Sequence, residues 1–375
     1  MQLSENIKLY PTTYQSELIQ AAMKEYISTV NRLVSSAVSG TFIATLTTAG
    51  VSAQLPSALK NQCIRDAKSI VKKHYKACRS AVLKNRSLAK RRSDIRVTTP
   101  HLPVLQKPCC YINNQNFRIT DSGIEFPVLV NGKSKRVSVK AKMSDRQKSA
   151  FVCHKLGMMR IVVKGHAMVA QITYDVEEPA AASDGSVMGV DLGIKCPAVS
   201  YCSDGSVKFY GNGRRNKYLR RHYKYLRRKL QKAKKPAAVA RINNKEQRIM
   251  KDIDHKLSHD IVATAVAHHV SVIKLEQLQN IRSTTRTSRK NNHSLHTWSF
   301  YRLAQYIEYK AKLAGIAVEY VNPAYTSQRC PVCGSVHHAN DRIYTCACGF
   351  HTHRDLLGAR NICSSTEYVG NRHTA

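Results

Sequence analysis

The sequence predicts a multidomain α+β protein: a small β-rich, barrel-like domain with a helical insertion, then an α/β domain interrupted by a short cysteine ribbon. Three observations predict it. First, 375 residues exceed one ordinary compact unit and suggest two or three domains, and 43% hydrophobic residues can fill their cores. Second, the spacing of apolar residues changes along the chain. It is helical up to about residue 92, period two over 102–178, and then alternates between short apolar runs and helical stretches. Third, four of the twelve cysteines fall between Cys330 and Cys348, which suits a metal site in reducing surroundings better than a disulfide framework.

Charge bounds the partners. Lys and Arg number 60 against 24 acidic residues, a formal net charge of +36. A surface so basic calls for a polyanion, and nucleic acid is the obvious one. Small ribosomal-type proteins share such charge but are much shorter. The first 30 residues hold no basic-then-apolar leader, and no run of 18 apolar residues occurs. The expectation is a cytoplasmic (nucleoid) protein with no membrane partner.

Taken in order, NIKLYPTTYQ reads as a strand stopped at Pro11, with Thr12 and Thr13 offering caps for a helix to about residue 36. A second helix, 57–92, carries bases including Lys72, Lys76, Arg79, Arg91 and Arg92, opposed only by Asp66. Its apolar residues Ile64, Ala67, Ile70, Val71, Tyr75, Cys78 and Val82 recur at helical spacing, so one face packs and the other is cationic. Asn131-Gly132 between alternating runs marks a two-residue hairpin, and Lys164-Gly165 marks another. EEPAAASDGS, 177–186, reads as a linker.

After the linker, SVMGVDLGIKCPAVSYCSDGSVKFYG reads as three consecutive strands. Asp191 is placed mid-strand with Gly189 and Gly193 on its own face, an arrangement that leaves room for a bulky ligand such as a phosphodiester. From Gly213 to Lys251 there are sixteen Lys and Arg and one acid, Glu246, the signature of a backbone-binding helical insertion; Arg220 and Arg227 lie within it. Tyr218, Tyr223 and Tyr225 there either stack on bases or pack. DHKLSHDIVATAVAHHV is a helix whose His255 and His259 stand at the spacing of a metal pair, with no third ligand at a recognisable distance. SVIKLEQL is a strand of parallel type ending in Glu276. An amphipathic helix closed by Gly315, a strand closed by Pro323, and a helix beginning near Asp355 complete the chain. That order of elements is the order of an RNase H-like fold, in which three acids converge.

Acids suit the chemistry of phosphodiester hydrolysis. Two Mg²⁺ (or Mn²⁺) ions about 3.5–4 Å apart activate a water and offset charge on the leaving oxygen, and hard cations want carboxylate oxygens. Asp191, Glu276 and Asp355 therefore read as ligands for magnesium, and Arg354, beside Asp355, as a contact to phosphate. Cys330, Cys333, Cys346 and Cys348 have the spacing C-x2-C-x12-C-x-C of a Cys₄ site, typically Zn²⁺. The second pair is one residue tighter than the common knuckle, which leaves His351 or His353 as a substitute for one thiolate. The remaining cysteines, including Cys109-Cys110, read as buried or incidental.

These residues resemble the TnpB (OrfB) proteins of bacterial insertion sequences, relatives of type V CRISPR effectors. The similar stretches are IKLYPTTYQ, GVDLGIK, HKLSHDIV, IKLEQL, YKAKLAGIAVEYVNPAYTSQRCPVCG and CGFHTHRDLLGARNI, dense after 187 and sparse before. The resemblance implies an RNA-guided DNA endonuclease: a transposon-derived guide RNA pairs with double-stranded target DNA beside a short motif, and a RuvC domain cuts. It assigns Asp191, Glu276 and Asp355 as catalytic acids and the four ribbon cysteines as zinc ligands. It also implies a β-barrel wedge domain (1–12 and 100–180) and a helical recognition domain (13–99) with motif reading near Lys72, Lys76 and Arg79. A RuvC-like nuclease domain (185–325 and 352–375) and a zinc ribbon (326–351) would follow, the chain acting as a monomer with one RNA. A guide-directed repressor without cleavage, or a guide-independent transposase or junction nuclease, are the alternative readings.

Overall fold

A computed structural model describes residues 1–38, 45–90, 94–165, 167–182, 184–242, 244–278, 295–339 and 342–369. Arg91, Arg92 and Ser183 of the linker lie outside the described residues. The chain forms two compact units, Met1–Glu177 and Glu178–Ala375. Among the described residues no helix is long and apolar enough to cross a membrane.

The first unit is built on a seven-stranded antiparallel sheet. Its strands are β1 (Gln2–Tyr10), β2 (Cys109–Ile112), β3 (Arg118–Ile119), β4 (Gly123–Val130), β5 (Lys133–Lys142), β6 (Lys155–Lys164) and β7 (Ala167–Asp175), in the order β2-β6-β7-β1-β5-β4-β3. Asn131 and Gly132, both at positive φ (51° and 74°), join β4 to β5 in the two-residue hairpin that the sequence predicts. The sheet is open rather than a closed barrel: β2 and β3 are its edges among the described residues. Two helices, α1 (Thr13–Val38) and α2 (Ser57–Lys90), close its apolar face instead, and Met23, Tyr26 and Leu59 pack with Ile7, Phe126 and Ile161 in one core. Thr12 caps α1 by accepting from the Gln15 amide at 3.2 Å, while the Gln15 side chain accepts from the Thr12 amide at 3.0 Å.

In α2 the structure departs from the expectation of one long packed face. Leu59, Cys63, Ile64 and Ala67 are buried, but Tyr75 and Val82 are half-exposed. Its 34 residues rise about 50 Å at 1.5 Å each, and apart from Ala81 its buried residues all lie before Lys68. Lys72, Lys76 and Arg79 stand exposed on this helix. A short helix, α3 (Asp145–Cys153), starts with a capping box at Ser144 and Gln147.

The second unit is an α/β layer structure. Strands β8 (Ser186–Asp191), β9 (Ala198–Cys202), β10 (Val207–Tyr210), β11 (Val270–Glu276) and β12 (Ala317–Val321) form a sheet in the order β10-β9-β8-β11-β12. β8 runs antiparallel to β9 but parallel to β11, and β12 continues parallel. Helices α4 (Gly213–Lys232), α5 (Pro236–Ile242) and α6 (Lys245–Ala267) follow β10; α7 (Phe300–Leu313) precedes β12 and α8 (Arg354–Ser364) ends the unit. Alternation along β8 sends Met188 and Val190 to one face, where they join Ile273, Leu275, Ile261 and Ile307 in a core beneath α6 and α7. The opposite face, holding Gly189 and Asp191, is covered by α8.

A candidate acidic site beside a cysteine ribbon

Asp191 is the last residue of β8 rather than a mid-strand one, and its flanking glycines serve the chain, not a ligand. A Cβ on Gly189 would lie 2.2 Å from the Ala359 carbonyl and 2.3 Å from the Cys363 amide, so α8 lies directly on the strand there. A Cβ on Gly193 would lie 2.5 Å from the Cys196 carbonyl, across a tight turn. In α8 itself, Gly358 faces the carboxylate: its Cβ would sit 3.1 Å from Asp191 Oδ2. The same alternation on β11, with Ile273 and Leu275 in the core, puts Lys274 and Glu276 on the α8 side. Lys274 Nζ accordingly donates to the Cys363 and Ser365 carbonyls at 3.3 and 2.7 Å.

Three carboxylates thus gather at the carboxyl ends of β8 and β11 and the amino end of α8. Burial pushes the Asp191 carboxyl well above its ordinary range, and the neighbouring charges of Glu276 and then Asp355 push the same way. Burial also raises Glu276, opposed by the hydroxyl of Thr326, which donates to its Oε1. Arg342 grips Asp355 with one nitrogen, at 2.8 and 2.6 Å from its two oxygens. The sequence offers no signal for Thr326 or Arg342, because neither stands in a recognisable spacing with an acid. Arg354 bears on the site by charge alone, holding Asp191 down, and its amide donates to the Arg342 carbonyl at 2.7 Å.

The four cysteines come together, their sulfurs all within 4.8 Å of one another. Cys330 and Cys348 sulfurs are 3.7 Å apart, and Cys333 and Cys346 are 3.4 Å apart. A tetrahedral ion with Zn–S bonds of about 2.3 Å has S···S edges of about 3.8 Å, so the donors fit Zn²⁺ without a histidine. His353 is instead the cap of α8, its Nδ1 accepting from the Asp355 amide at 3.2 Å. The Ser335 hydroxyl and amide pull the Cys333 thiol down to about 6, favouring the thiolate. Strands β13 (Ile343–Thr345) and β14 (His351–His353) pair beside the cluster around buried Tyr344, which stacks on His337. β14 runs straight into α8, and Asn361 of α8 donates to the Thr326 and Arg329 carbonyls, both at 2.8 Å. Asn340 and Asp341 of the ribbon lie outside the described residues.

Other expectations divide. His255 stacks on Tyr306 with ring centroids 3.9 Å apart, and no described metal-type cluster includes it or His259. Tyr223 is buried, whereas Tyr218 and Tyr225 are about two-thirds exposed. Arg227 is engaged by Glu246 at 2.6 Å, so its charge is partly answered within the chain. Arg220 lines a cavity beside α4.

Such a chain, a multidomain α/β protein with a Cys₄ cluster, is similar to TnpB-like and Cas12f proteins. Residues 171–282 match the OrfB_IS605 family model, described as "Probable transposase", and residues 300–362 match the Cas12f1-like TNB domain. A TnpB-like protein of Methanocaldococcus jannaschii, MJ0751, is 33% identical over 41% of this chain and 58% of its own length. The CRISPR-associated endodeoxyribonuclease Cas12f1 of Sulfoacidibacillus thermotolerans is 30% identical over 51% of this chain and 48% of its own. The chain thus spans about half the length of these curated relatives. Among solved structures, the Cas12f1–sgRNA–target DNA complex aligns over 94% of this chain and 83% of that one, with a TM-score of 0.57 and 15% identity. CasPhi-2 (Cas12j) bound to crRNA aligns over 96% and 97% with a TM-score of 0.53 and 11% identity. At these identities the likeness concerns the fold.

Proposed function

We propose that this protein is an RNA-guided DNA endonuclease of a mobile element, cutting double-stranded target DNA beside a short motif by metal-dependent hydrolysis. The observation that carries it is the convergence of Asp191, Glu276 and Asp355 from β8, β11 and α8, buried enough to raise Asp191 well above the ordinary carboxylate range. Three carboxyl groups crowded out of water repel one another and call for cations. Mg²⁺ or Mn²⁺ held there would supply an activated water and compensate the leaving oxygen. The chain's own residues do the holding: Thr326 orients Glu276, Arg342 orients Asp355, and Gly358 leaves the Asp191 carboxylate space beneath α8. Arg354 adds positive potential where a phosphate would approach.

On this reading 185–325 with 352–375 is the RuvC-like, RNase H-type nuclease domain, and 326–351 a zinc ribbon contacting target nucleic acid. The open sheet (1–12 and 100–180) serves as the wedge and 13–99 as the recognition part, with Lys72, Lys76 and Arg79 toward the adjacent motif. Support comes from the relatives named endodeoxyribonuclease and from a fold neighbour holding sgRNA and target DNA. Sequence is then read by base pairing, and the protein supplies charge and shape.

Asp191→Ala tests the reading. It is expected to remove cleavage of a guide-matched plasmid, by at least about 10³-fold given several kcal/mol of transition-state stabilisation from the metal site. Binding of the co-purified RNA and of the target should persist. Cutting by this variant would overturn the assignment of the acids. The intact trio of carboxylates weighs against a non-cleaving repressor, and co-purification of a discrete RNA would weigh against a guide-independent transposase or junction nuclease.

A further inference from the structure

A cavity of about 500 Å³ lies within the second unit, lined in part by Gly193 and Ile194 just past Asp191 in the chain, inside the range of sites that enclose small organic groups. One wall is cationic. Lys217, Arg220, Arg221 and Lys224 line it at spacings of three, one and three residues, a single stripe along α4. The lining also includes Trp298, the single tryptophan of the chain, half-buried and packed against Phe300 with ring centroids 4.9 Å apart. The floor is apolar, from Met250, Leu303 and Pro197, and the rim includes Gly193 and Ile194, two and three residues beyond Asp191. A second hollow of about 340 Å³ shares Trp298 and Arg220 with the first, so the indole stands between two spaces.

The charges around the cavity favour a polyanion. Its buried acid, Asp254, is answered from within: Arg302 approaches to 2.5 Å and the Ser299 hydroxyl donates at 3.3 Å. Lys217, Arg221 and Lys224 make no ion pair among the described residues. An aromatic ring and a line of cations in one cavity are the combination that holds single-stranded nucleic acid, the base against the ring and the phosphates against the basic side chains. The stripe from Lys217 to Lys224 rises about 10 Å, enough to follow the backbone past more than one phosphate.

We propose that this cavity takes an unpaired nucleotide of the DNA strand about to be cut, its base stacked on Trp298 and its phosphates along Lys217, Arg220, Arg221 and Lys224. Gly193 and Ile194 of the lining follow Asp191 by two and three residues, which ties the cavity to the strand on which the carboxylates would act. The assignment of that strand rests on the nuclease reading above; the stacking itself does not.

The lone tryptophan makes the test direct. Full-length protein, freed of bound RNA by washing in high salt, is titrated in EDTA with a short oligothymidylate while Trp298 fluorescence is followed. Saturable quenching is expected, with much weaker quenching by an abasic oligonucleotide of the same length and charge. Equal quenching by both, or none by the thymidylate, would overturn the stacking site. Quenching by oligouridylate RNA but not by DNA would transfer the cavity to the guide and overturn the proposal as stated. By anisotropy of a labelled oligothymidylate, Trp298→Ala is expected to weaken binding by about 5- to 150-fold, the equivalent of about 1–3 kcal/mol for one stacked base. Trp298→Phe should recover most of it, which a merely structural tryptophan would not predict. Cleavage is assayed separately with Mg²⁺: quenching without any cleavage would sink the nuclease reading and leave the stacking site, whereas cleavage without quenching would do the reverse.

Discussion

Asp191 sits where alternation along β8 turns its side chain away from the core and under α8, and burial raises its carboxyl well above the ordinary range. A carboxyl raised in the folded state contributes stability at pH below its unfolded value, and that contribution is lost as pH rises through the folded value. Above the unfolded value and without metal, the buried Asp191 carboxyl therefore destabilises the fold. Asp191→Asn removes that charge at nearly constant shape. It is expected to raise the melting temperature in EDTA at neutral pH, to leave it nearly unchanged below the ordinary carboxylate value of about 3.9, and to abolish cleavage. Calorimetry at two pH values measures it, and a lower melting temperature at neutral pH would contradict the electrostatic account. Gly189 gives the complementary case. Its Cβ would enter the backbone of α8 at 2.2 Å, so Gly189→Ala should destabilise by about 1–3 kcal/mol, seen as a lower denaturation midpoint.

The ribbon and α8 work as one element. β14 continues into α8 without a break, His353 caps it, and Asn361 ties it back to the chain entering the ribbon. Both carboxylates that receive a side-chain partner receive it from residues of the ribbon segment 326–351, Glu276 from Thr326 and Asp355 from Arg342. A metal held by the cysteines would thus position acids that it never touches. With about 10–16 kcal/mol available from Zn²⁺ in sites of this kind, Cys333→Ala is expected to lower metal content and to reduce cleavage although all three acids remain. Zinc released to a chromogenic chelator measures the first and a plasmid assay the second. Undiminished cleavage by metal-free protein would separate ribbon from site. Release should also steepen on acidification below about 6, where the Cys333 thiolate takes up its proton.

Over the whole molecule charge outweighs every other surface property, with a net +36 spread on both units. Lys72, Lys76 and Arg79 stand exposed on α2 of the first unit, and α4 carries its own basic stripe in the second. If backbone charge governs binding, log affinity for duplex DNA should fall linearly with log salt at about −0.9 per phosphate neutralised. A filter-binding or anisotropy series across salt concentrations measures it, and Lys72→Gln with Lys76→Gln should flatten the slope by about two. A slope unchanged in that double variant would place the contacts elsewhere.

What the sequence determined is what spacing can carry. C-x2-C with C-x-C marks the metal cluster, the order of strands and helices locates the sheet, and Glu276 and Asp355 are legible because they stand at the ends of clear apolar runs. The tertiary structure decided the rest, because it depends on partners far apart in sequence. Alternation alone leaves open which face of β8 meets α8, so Gly189 reads as room for a ligand until the helix backbone is seen lying on it. The open sheet replaces a barrel because two helices, not further strands, cover its apolar face. Thr326, Arg342 and the cavity at Trp298 have no sequence signal at all: each acts on a residue well removed along the chain or across two helices, and only packing brings them together.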